Sequence, residues 1–88
     1  MAEARRRIRD ISHGGKRWIV SLLARQQPDG VWRGRVAFFP DSGGRLPEVE
    51  DTLAFEALDF EGLVAQAAAV SPDEIRGRME RALRERVL

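Results

Sequence analysis

The sequence predicts an α+β fold, a three- or four-stranded antiparallel meander followed by two C-terminal helices packed on one face, and three observations predict it. β-prone runs with period-two alternation occupy most of the first two thirds of the chain, and sustained helical spacing of apolar residues follows in the last third. A tight turn, Gln27-Pro28-Asp29-Gly30, separates two of the β-prone runs. Ser71-Pro72-Asp73-Glu74 combines an N-cap serine, an N1 proline and an N3 glutamate, which marks a helix start. Strands grouped first and helices last indicate α+β rather than a wound parallel sheet.

The first element is expected as an edge strand over residues 5–12, turning through His13-Gly14-Gly15. Ala4, Ile8 and Ile11 also recur at i, i+4, i+7, the spacing of a helix. Residues 16–26 and 31–39 read as the arms of a hairpin. If Gln27 faces Val31, opposed residue numbers sum to 58, so that Ala24 meets Gly34, Leu22 meets Val36 and Val20 meets Phe38. One face is then apolar, with Trp18 and Trp32 at its ends. The other carries Arg17, Ile19, Ser21, Leu23 and Arg25 on one strand and Arg33, Arg35, Ala37 and Phe39 on its neighbour.

Asp41-Ser42-Gly43-Gly44 and Pro47 break the pattern, after which residues 51–57 alternate again, with Leu53, Phe55 and Ala57 facing the core. A fourth strand antiparallel to the third would bring Glu56 beside Arg33 or Arg35. Asp59 is placed to cap a helix over 60–70 that buries Phe60, Leu63, Val64 and Ala67, and Gly62 weakens that helix by about 1 kcal/mol relative to alanine. The second helix, 72–87, buries Ile75, Met79, Ala82 and Leu83 and sets Glu80 four residues before Arg84 on a solvated side.

Length and composition bound the function. With 88 residues the chain has room for one core, so residues 1–88 are read as a single domain. A hydrophobic fraction of 43% with a net charge of +1 lies outside the disordered regime. The absence of cysteine excludes disulfides, thiolate metal sites and a cysteine nucleophile. No apolar run reaches the roughly 20 residues of a membrane span, and Arg5, Arg6 and Arg7 precede Ile8, Arg9 and Asp10 rather than the apolar stretch of a secretory signal. A cytoplasmic location without membrane contact is expected. Of the 15 basic residues only Lys16 is not arginine, a bias that GC-rich coding explains.

Catalytic groupings are thin. Ser12, His13 and Asp10 are neighbours on a turn, without the wall and oxyanion hole a triad needs. Glu48, Glu50 and Asp51 offer at most a weak surface cation site, and Gly14-Gly15-Lys16 lacks the remaining residues of a phosphate-binding loop. No catalytic residue, cofactor or metal is therefore assigned, and the chain is read as non-enzymatic.

Two surfaces stand out. Arg17, Arg25, Arg33 and Arg35 share one sheet face, where Arg25 faces Arg33. Opposed like charges need a neutralising group. A nucleic-acid phosphate would serve, with Arg5, Arg6, Arg7 and Arg9 extending the footprint, and so would Glu56 from within the chain. On the same face Ile19, Leu23, Ala37 and Phe39 form a candidate interface, exposed if both helices cover the opposite side and buried if a homodimer forms through it. The N-terminal segment or the second helix folding over it is the alternative. The leading expectation is a small binding or regulatory module acting through protein–protein contacts as a homodimer. A nucleic-acid binder using the arginine face is the alternative.

Val36-Ala37-Phe38-Phe39-Pro40-Asp41-Ser42-Gly43-Gly44 after a hairpin turn, the acidic-Thr step Asp51-Thr52 and an Ala-rich helix together resemble the HicB-like antitoxin core across roughly residues 20–70. The resemblance implies pairing with a small RNA-cleaving toxin and binding to an operator. The chain departs from that family in lacking its Gly-Asp-Thr-Leu-Glu-Glu-Ala helix start and a DNA-reading motif in the last helix.

Overall fold

The computed structural model describes residues 2–41 and 49–87, and of residues 50–53 and 86–87 the backbone alone. Four strands, β1 (Glu3–His13), β2 (Lys16–Gln26), β3 (Trp32–Pro40) and β4 (Val49–Ala57), are followed by α1 (Phe60–Ala69) and α2 (Pro72–Val87). The sheet order is β1-β2-β3-β4, each pair antiparallel, so the expected α+β meander is the fold. The segment after Asp41, with Ser42, Gly43, Gly44 and Pro47, lies outside the described residues.

Turn chemistry sets the hairpins. Gly14 and Gly15 both have positive φ (60° and 76°), the conformation a two-residue hairpin between His13 and Lys16 requires and which L-residues with a Cβ resist. In the second turn the Gln27 N–H donates to the Val31 carbonyl (2.8 Å), the Gly30 N–H to that of Gln27 (2.9 Å), and Gly30 sits at φ 90°. The resulting register pairs Ala24 with Gly34, Leu22 with Val36 and Val20 with Phe38.

The edge strand is more irregular than its pattern suggested. Arg7 pairs with Ser21 but Arg9 with Val20, so Ile8 is an extra residue in a β-bulge. The bulge resets the alternation. Ile8 at the bulge packs on the core and so does Ile11, 5% exposed, three residues on, although an odd spacing would put them on opposite faces of a regular strand. The spacing that mimicked a helix is the signature of this bulge. A second irregularity lies between Arg35 and Ala37 of β3, which pair with Ala54 and Glu50 of β4.

Both helices cover the face bearing Trp18, Val20, Leu22, Ala24, Val36 and Phe38, and one core joins these to Ile11, Leu63, Ala67, Ile75 and Met79. Full burial of side chains such as Val20, Leu22, Phe38 and Leu63 stabilises the fold by about 1.5–3 kcal/mol each. Phe55 and Ala57 of β4 pack on this core, while the side chain of Leu53 is outside the described residues.

Asp59 Oδ1 accepts from the Gly62 N–H (2.7 Å) and Ser71 Oγ from the Glu74 N–H (3.2 Å), which caps both helices. The close seating of α1 has two signatures: a Cβ at Gly34 would lie 2.9 Å from Leu22 Cδ1 and 3.2 Å from Leu63 Cδ1, and one at Gly62 would lie 3.0 Å from Ala57 Cβ. Gly62, unfavourable for an isolated helix, leaves room for this close approach to β4. Glu80 faces His13 across α2 and the first turn (Oε1–Nδ1 3.9 Å).

Candidate functional site

With both helices on one side, no helix or strand among the described residues covers the other face of the sheet, although Ser21 and Ala37 at its middle are buried. Its charges are ordered in rows. At one end Glu3 pairs with Arg25, Arg25 with Arg33 and Arg33 with Glu56, a row of two arginines between two glutamates that runs across all four strands. The Arg25 guanidinium donates to Glu3 Oε1 from Nε (3.0 Å) and Nη2 (2.6 Å), and Arg33 Nε lies 2.9 Å from Glu56 Oε1. The opposed arginines are thus held together by flanking carboxylates. These side chains are 57–66% exposed, where an ion pair contributes about 0–1 kcal/mol.

The next row runs Arg5, Leu23, Arg35 and Ala54. Arg35 is exposed and has no hydrogen-bond or ion-pair partner among the described residues. The Arg5 guanidinium lies over the Phe39 ring, 4.4 Å from its centroid. Arg5, Arg25, Arg33 and Arg35 surround an open depression of about 730 Å³ floored by Leu23 and Ala54, with Glu3 on its rim. Counting Glu3 and Glu56, the described side chains at this end of the sheet carry four positive and two negative charges, an excess of +2 among the described residues.

The remaining arginines are placed elsewhere. Arg17 stands at the far end of the face, 3.8 Å from Asp41, and does not line the depression. Arg7 donates to both oxygens of Asp10 (2.6 Å each), whose hydrogen bonds and charge raise the guanidinium pKa. Arg6 and Arg9 leave the face altogether. Arg6 pairs with Glu61 of α1 (3.0 Å) over the Phe60 ring, and Arg9 Nη2 donates to the Ala68 carbonyl (2.8 Å), because the bulge turns Arg9 toward the helices. Of the expected extension Arg5, Arg6, Arg7 and Arg9, only Arg5 joins the site.

The apolar candidates on this face also differ from expectation. Ala37 is fully buried and contributes no surface, while Ile19, Leu23 and Phe39 are half-buried. The expected exposed patch of four does not form: Ala37 is buried and Arg5 lies over Phe39. Among the described residues Leu58, 86% exposed at the corner between β4 and α1, is the one exposed large hydrophobic side chain.

The catalytic grouping is dispersed by alternation: Asp10 and Ser12 pair with Ile19 and Arg17 on the open face, while His13 turns to Glu80 of α2. Among the described residues no three histidine, aspartate or glutamate side chains cluster to hold a metal. Glu48 and the side chains of Glu50 and Asp51 lie outside the described residues. Among the described residues no helix is long and apolar enough to cross a membrane.

Within the antitoxin-like stretch, Phe38 is in the core, Phe39 on the open face and Thr52 within β4. No family model matches the chain, and no curated protein or solved structure matches it either.

Proposed function

We propose that this chain is a non-enzymatic binding module that takes a nucleic acid on the open sheet face through Arg5, Arg25, Arg33 and Arg35. The single observation carrying this reading is Arg35, exposed and unpaired among the described residues, beside a row in which two arginines face each other. Opposed like charges are unfavourable, and the two flanking carboxylates answer only half of the four guanidinium groups. Exposed ion pairs are weak, so a phosphate displaces Glu3 or Glu56 at little cost.

All four cations are arginines, whose planar donor fork binds phosphate oxygens bidentately. Arg33 and Arg35 lie two residues apart on one strand, about 6.8 Å, and a regularly spaced polyanion matches that repeat. The test is a fluorescence-anisotropy titration with labelled RNA and DNA oligomers at low salt. Saturable binding that weakens as salt rises supports the reading. No binding to either polymer, or preference for a polyglutamate peptide over both, refutes it.

A protein partner, including a second copy of the chain, is the second reading. Leu58 favours it, being the large apolar side chain left in solvent at the corner beside the Trp32–Phe60 ring pair. It requires self-association or partner capture that Leu58→Ser abolishes, measured by light scattering.

A further inference from the structure

We infer that the nucleic acid taken by this face is single-stranded and that one of its bases stacks on Phe39; the inference rests on the reading proposed above. A duplex reader that inserts a helix into a groove needs that helix exposed beside its cations, and here both helices lie behind the sheet. The face instead offers a depression of about 730 Å³, within the ~300–1,000 Å³ of sites that enclose small molecules. Its lining supplies Arg5, Arg25, Arg33 and Arg35 as phosphate contacts, and Phe39 lies beyond it along β3.

The Phe39 ring is half-buried, on the same face as Arg35, and already carries a planar cation, the Arg5 guanidinium, at 4.4 Å from its centroid. A planar base can occupy the place Arg5 now holds. Displacing Arg5 from the ring frees its guanidinium to serve as one of the four phosphate contacts.

Arg33, Arg35 and Phe39 follow each other on one face of β3, Phe39 four residues beyond Arg35, about 13 Å. An extended strand laid along β3 therefore meets cations first and the aromatic ring after. Single strands recognised by a sheet combine these two elements, a cationic track and a ring on which a base stacks.

The test compares a labelled single-stranded 12-mer with the same sequence closed into a duplex hairpin, and places 2-aminopurine in the single strand to report stacking. Expected are at least tenfold tighter binding of the single strand, quenching of 2-aminopurine on binding, an affinity loss of about fivefold or more with Phe39→Leu, and recovery of both signals with Phe39→Tyr. Equal or tighter duplex binding, or Phe39→Leu leaving affinity and quenching unchanged, overturns this inference while nucleic-acid binding stands. Absence of binding by either oligomer overturns both.

Discussion

Replacing Arg33 and Arg35 together by alanine separates an electrostatic track from an incidental cluster of charge. Four arginines line the depression, and a single strand neutralised by four cations has a slope of log affinity against log salt of about −2.8, so affinity falls about 50-fold between ~50 and ~200 mM salt. With two of the four removed the slope halves to about −1.4 and the loss over the same range shrinks to about sevenfold. The fold tolerates the change, because Arg33 and Arg35 are exposed, the Arg33–Glu56 pair is a surface pair, and its loss also removes the repulsion between Arg25 and Arg33. A stability change within about 1 kcal/mol is expected by urea denaturation. Anisotropy titrations at four or more salt concentrations give the slope, with Arg84→Ala on the exposed side of α2 as a control that leaves it unchanged. A double variant that keeps the parental slope, or a control that lowers it equally, refutes the assignment of the phosphate track to this face.

Four further expectations follow from the same geometry. Glu56→Gln releases Arg33 from its 2.9 Å partner and tightens oligonucleotide binding by about 1.5- to 5-fold with little change in stability; weaker binding would show that Glu56 orients Arg33 rather than competing for it. Gly34→Ala forces a Cβ against Leu22 and Leu63 and costs about 1–3 kcal/mol in urea denaturation, whereas a neutral result would mean α1 can lift from the sheet. Ser71→Ala removes the cap on the Glu74 N–H and lowers unfolding free energy by about 1 kcal/mol, readable as a shift in the denaturation midpoint. Leu63→Ala, at a side chain with no exposed surface, costs about 2–5 kcal/mol and leaves the salt slope of the folded fraction unaltered.

The hairpin was legible because turn chemistry and period-two alternation are local: Pro28, Asp29 and Gly30 fix the turn, the turn fixes the register, and the register places Arg25 against Arg33. Asp59 and Ser71 were legible for the same reason, as each cap acts within three residues. What a single sequence concealed was set at a distance. The bulge at Ile8 shows only as an odd spacing that a helix shares, and the direction of Arg9 depends on it. Arg6 is drawn to Glu61, 55 residues away in sequence, a pairing that follows from the placement of α1 on the sheet. Gly62 looked like a weakness of its helix until Ala57 was seen against it. Burial of Ala37 depends on the side chains around it rather than on its own strand pattern. Arg5 over Phe39 had one signal, the shared parity of their strand positions across the sheet, and parity alone does not measure reach.

The most direct measurement is a two-dimensional NMR titration of the isotope-labelled protein with a single-stranded oligonucleotide, following backbone amides together with the arginine Nε–Hε signals. Perturbations concentrated at Arg5, Leu23, Arg25, Arg33, Arg35 and Phe39, with α2 silent, are the predicted result. Shifts confined to the helical layer, or none at any of the four arginines, would contradict the account.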